Sequence, residues 1–165
     1  MATAIRFLRL LSIVVWVGGI VFFAFVLAPV AFHLLRSAHD AGIVVGGTLR
    51  VLDVIGIVCG IVFVAATVFI FRGASKFVFT AEILLVAAMV AATAYIHWDI
   101  LPAMELDRVQ AGGDIETAPL SSEAREHFEL LHKRSEHVEG AVLFLGLGVV
   151  VLMARESIPR EAVKS

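Results

Sequence analysis

Residues 10–32 read LLSIVVWVGGIVFFAFVLAPVAF, 23 positions without a single charge and with one hydroxyl, Ser12. A helix crossing the hydrocarbon of a bilayer needs about 20 such residues. Only helices and closed barrels satisfy every backbone polar group in lipid, so an isolated run of this length reads as a transmembrane helix. Arg6 and Arg9 precede it as they would in a secretion signal. The run is nevertheless longer than the 7–15 residues of a signal core, and it contains Trp16 and a Gly18–Gly19 pair suited to helix packing. A retained anchor is expected.

Three further stretches repeat the pattern: Val51–Phe71, Phe77–Leu101 and Val138–Ala154. The whole chain of 165 residues is 60% hydrophobic and 17% charged, with a mean hydropathy of +0.97. A soluble domain carries about 45–50% apolar and about 25% charged residues. One small core cannot hide such an excess, because a chain this short still exposes roughly a third of its unfolded surface. The fold class is therefore an all-α, polytopic membrane four-helix bundle forming one domain over residues 1–165. Its helices are expected at about 5–35, 40–72, 76–101 and 122–156, with Pro102 ending the third and starting a short helix through Gln110.

The net charge of −2 argues against nucleic acid as a partner. A single cysteine, Cys59, excludes an intrachain disulfide or a paired-cysteine motif and reads as a small buried hydrophobe. Arg6, Arg9, Arg72, Lys76, Arg155, Arg160 and Lys164 crowd the short segments at one side of the bundle. Arg36, Arg50, Arg108, Arg125, Lys133 and Arg134 are diluted in longer connections at the other. By the positive-inside rule both termini are expected in the cytoplasm, with the bacterial inner membrane as location. Ten acids against four bases from Asp99 to Glu139 give the opposite side a net −6. Ser121 or Ser122 is the expected N-cap of a last helix long enough to protrude from the membrane.

Helical phase, about 100° per residue, sorts the scarce polar groups into stripes. Ser12, Trp16, Gly19 and Phe23 share a face, as do Asp53, Gly56, Gly60 and Thr67. Glu82, Val86, Met89, Thr93 and His97 form the third stripe. Phe128, Leu131, His132, Ser135, Glu139, Val142 and Gly146 form the fourth. Stripes of small residues favour close helix approach in lipid. Arg50 is three residues from Asp53 and is expected to pair with it; Arg9, Arg72 or Lys76 is expected to neutralise Glu82.

His97, Met104, His132 and Glu139 are expected at similar depth, with Ser135 behind them. Imidazole, carboxylate and thioether together suit a transition metal, copper above all, and two histidines on neighbouring helices suit a haem iron. The bland alternative is a hydrogen-bonded cluster that fixes helix register. His127, His132 and His137 are five apart, about 140° around a helix, and do not converge on one ion. A second function class is a non-catalytic accessory subunit of a homo-oligomer or larger membrane complex, favoured by the glycine seams. An enzyme is least favoured: His132, Ser135 and Glu139 line one helix surface and do not surround a substrate.

The opening Arg6-Phe7-Leu8…Trp16-Val17-Gly18-Gly19…Phe22-Phe23…Ala28-Pro29…Phe32 resembles the first helix of bacterial relatives of the transmembrane protein 205 family. Ala41-Gly42…Gly46 and Phe128-x2-Leu131-His132-x2-Ser135 are similar to that family as well. The Trp-x-Gly-Gly element is shared with copper-resistance D membrane proteins. The resemblance implies a four-helix membrane domain of unestablished activity, and marks Trp16, Gly19, Pro29, His132 and Ser135 as motif residues.

Overall fold

The computed structural model describes residues 2–70, 76–119 and 121–156. It is all-helical, with no strand among the described residues. Four rods run up and down. The first comprises α1 (Ala2–Phe22), a π-turn (Phe23–Leu27) and α2 (Ala28–Leu34), and the second is α3 (Ala38–Ile70). The third comprises α4 (Lys76–Tyr95), a π-turn (Ile96–Ile100) and α5 (Leu101–Gln110), and the fourth is α6 (Glu123–Glu156). Each rod contains an apolar segment of at least 32 residues, long enough to span a membrane. Only 17–33% of the most apolar 18-residue windows is buried within the chain, so the remaining apolar surface needs lipid as its solvent. We call the end carrying Ala2, Ile70 and Lys76 the terminal end, and the other the linker end.

The third rod departs from expectation. The short helix through Gln110 is present as α5, but Pro102 does not separate it: the rod runs on from α4 through the π-turn without a break. Proline lacks an N–H and its ring clashes with the carbonyl four residues back, which normally breaks a helix. Here the preceding π-turn widens the hydrogen-bond step, and the Leu101 N–H reaches back to the Ile96 carbonyl. The first rod repeats the device: the Ala28 N–H donates to the Phe23 carbonyl, immediately before Pro29. Both prolines are thus tolerated inside continuous rods.

Between the first two rods the backbone turns extended at Leu35, and the Ser37 hydroxyl accepts the Asp40 N–H at 3.0 Å to start α3. Gly112 and Gly113 both take positive φ (84° and 101°), a conformation that ends α5 and that side-chain-bearing residues rarely adopt. At the start of α6 the Ser122 carbonyl accepts the Arg125 and Glu126 N–H groups, each at 3.1 Å. Its hydroxyl makes no hydrogen bond, so Ser122 holds the cap position through its backbone alone.

Packing at the terminal end is close. Trp16, 1% exposed, lies flat across Gly56 and Gly60 of α3, where an added Cβ would meet the indole ring. Gly146 of α6 receives Val17 and Met89 in the same way. Ile13, Trp16, Val17, Phe63, Val86, Met89 and Val142 form one apolar core there, with Cys59 partly buried against it. Glu82 is fully buried and pairs with the buried Arg9, whose guanidinium also lies 5.2 Å above the Phe63 ring. The expected neutralisation therefore comes across from α1. Arg72 and the Lys76 side chain lie outside what the structure describes. A second core of Phe23, Leu49, Ile96, Ile100, Leu101, Met104 and Leu131 serves the linker end.

Candidate functional site

Towards the linker end the bundle opens. α6 leans on α4 and α5, and α2 packs on α3 without comparable contact to α6. The gap is a cavity of about 600 Å³ bounded by the first rod, α3, α5 and α6. Ile20, Phe23, Leu49 and Leu143 lie deepest; Phe25, Phe32, Val45, Met104 and Phe128 continue the apolar wall. Small residues make the room: Ala24, Ala28, Gly42, Gly46 and Gly140 all line it. A Cβ added at Gly46 or Gly140 would meet nothing within 4 Å.

Its roof is the linker. Ile115, 8% exposed, and Glu116 cover the cavity from above. Arg125 holds this segment to α6 by donating to the Glu116 and Ala118 carbonyls, both at 2.9 Å. His39 Nδ1 of α3 faces Asp114 Oδ1 at 3.5 Å. With the roof tied at both sides, exposed side chains flank the cavity: Phe25 and Phe32 of the first rod, and His132 and Glu136 of α6. The mouth therefore faces sideways, between the first rod and α6.

The polar groups of the wall are mostly engaged. His132 Nε2 faces Glu136 Oε1 at 3.4 Å, and its ring stacks on Phe128 with centroids 6.3 Å apart. Arg108 reaches Glu105 at 3.6 Å, with its guanidinium 5.2 Å above the Phe128 ring. Glu139 differs: its Oε2 is buried and has no hydrogen-bond partner. Behind it stands Asp53, 2% exposed and close enough to Glu139 for the two to interact electrostatically. Asp53 Oδ2 faces His97 Nδ1 at 3.5 Å, and neither atom completes a hydrogen bond.

These positions revise the expected ligand set. Met104, His132, Ser135 and Glu139 do line one cavity, but His97 does not; it turns to Asp53. The stripe Glu82, Val86, Met89, Thr93 continues through Ile96 and Ile100, which leaves His97 on its flank, against Asp53 of α3. His132 sits at the edge of its stripe, half exposed, and pairs one turn along α6 rather than inward. Among the described residues no three His, Cys, Asp or Glu side chains gather as a metal site. His39 of α3 lines the same cavity as His132, but it faces Asp114 of the linker. Arg50 is exposed, and Asp53 takes its neighbour from the third rod instead of from Arg50. A contact with no sequence signal appears as well: His127 Nδ1 lies 2.9 Å from Asp107, clamping α6 to α5.

The motif residues of the first rod have packing tasks here. Trp16 and Gly19 meet α3 at Gly56, Gly60 and Leu52, and Pro29 follows the π-turn. The model of a family described as a domain of unknown function, DUF4149, matches residues 11–108. The chain belongs to the DUF4149 family. The DUF4149 match thus covers most of α1 and runs nearly to the end of α5, including three of the four cavity walls. α6, with Ser135 and Glu139, lies beyond it. No curated protein and no solved structure matches the chain.

Proposed function

We propose that this membrane protein binds an amphiphilic small molecule, taken sideways from the lipid into the cavity between the first rod and α6. The cavity's form carries the reading: about 600 Å³, mainly apolar walls with a few polar groups, and exposed flanks at Phe25 and Phe32 on one side and α6 on the other. Small-molecule sites are typically concave, mainly apolar spaces of about 300–1,000 Å³ with a few placed polar groups. The density of Lys and Arg at the terminal end supports setting both termini in the cytoplasm of a bacterial cell. The linker end then lies on the outer side of the inner membrane.

Glycine positions give a direct test. Gly140→Leu would fill the cavity from α6, whereas Gly18→Leu adds the same side chain at an exposed site where nothing lies within 4 Å. Native mass spectrometry of the protein released from lipid nanodiscs should show a bound amphiphile for the wild type and for Gly18→Leu. Gly140→Leu should lose it. Equal adducts on all three proteins would defeat the proposal.

A further inference from the structure

The charges of the cavity wall are not balanced by one another. His39 faces Asp114, His132 faces Glu136, and Arg108 is shared between Glu105 and the Phe128 ring. Each cationic or imidazole group of the wall already has an acidic neighbour. Glu139 is left with a buried oxygen that nothing in the described residues satisfies. Asp53 adds a second carboxylate behind it; among the described residues the basic group facing Asp53 is His97, which does not line the cavity. A carboxylate out of water is costly unless a partner replaces its hydration.

Resting on the amphiphile reading above, we infer that the ligand is an organic cation, a long-chain amine or quaternary ammonium. Its charged head meets Glu139, and its tail lies along the apolar wall. For an anionic head, Arg108, His39 and His132 of the cavity wall each already face a carboxylate. A smaller space of about 400 Å³ beside Arg50 and Arg108 is the nearest candidate. Arg108 is already neutralised by Glu105 there, and Arg50 is exposed.

Three probes with matched tails decide the matter: decyltrimethylammonium, decyl sulfate and decyl maltoside. Each competes for protein in phosphatidylcholine nanodiscs, with adducts counted by native mass spectrometry. The wild type should retain the ammonium probe about tenfold more than either other, since a charge-assisted contact contributes about 1.5–3 kcal/mol. Glu139→Gln should abolish that preference while the maltoside still binds, and Glu139→Asp should restore part of it. Equal retention of all three probes, or a preference untouched by Glu139→Gln, overturns the cation. That result would leave the cavity reading standing as long as Gly140→Leu still removes every probe. If Gly140→Leu removes none of them, both fall together.

Discussion

The two ends of this bundle use the same residue for opposite purposes. At the terminal end, Gly56, Gly60 and Gly146 are filled by neighbours: the Trp16 indole covers the first two and Val17 the third. At the linker end, Gly46 and Gly140 face space that nothing fills. The ionic groups divide in the same way. Arg9 and Glu82 satisfy each other inside the closed half, whereas Glu139 and Asp53 stand near one another in the open half without a cation of the wall between them. One end is built to be full; the other is built with a vacancy. In lipid no hydrophobic force drives helices together, so close fit supplies much of the cohesion. A bundle can leave one end open only if the other end is packed well enough to hold it.

The contrast can be broken most severely at Trp16. Trp16→Ala removes the ring that joins α1 to α3, and unfolding in mixed micelles should show a loss of about 3–5 kcal/mol. A paired glycine series measures the difference between the ends directly. At Gly56 an added methyl would lie 2.7 and 2.9 Å from indole atoms, so Gly56→Ala should destabilise by about 1–3 kcal/mol. Gly46→Ala meets open space and should be neutral or gain up to about 1 kcal/mol from helix propensity. Equal losses at both sites would mean that the ends are packed alike. The smallest effect belongs to His132. Its half-exposed pair with Glu136 is worth less than about 1 kcal/mol, so His132→Ala should leave the unfolding midpoint almost unchanged.

The closed end was largely legible in the sequence. Stripes such as Asp53-Gly56-Gly60-Thr67 and Glu82-Val86-Met89-Thr93 are the buried faces of α3 and α4, because undisturbed helical phase carries over many turns. For Glu82, shared depth narrowed the partner to Arg9, Arg72 or Lys76, and the fold places Arg9 against it. The open end was not legible. His97 follows Ile96 on the flank of its stripe, and which neighbouring helix that flank meets is a tertiary fact that phase alone does not carry. Pro102 looked like a stop because the proline was visible and the wider backbone step before it was not. The cavity depends on α2 and α6 failing to meet, a separation between elements far apart in the chain. Its nearest trace was the Gly42…Gly46 spacing, which by itself equally predicts a tight seam.

The paired π-turns have a consequence for how this architecture can vary. Each acts as a one-residue frame shift within a rod. Deleting a single residue between Phe23 and Leu27 would restore regular α-helix and turn everything beyond by about 100°, carrying Phe32 away from the cavity. The same deletion between Ile96 and Ile100 would rotate Met104 and Arg108. The faces on either side of each shift are consequently set separately. Sequence drift at the linker end can reshape what the cavity accepts while the register of Trp16 and Glu82 stays where it is.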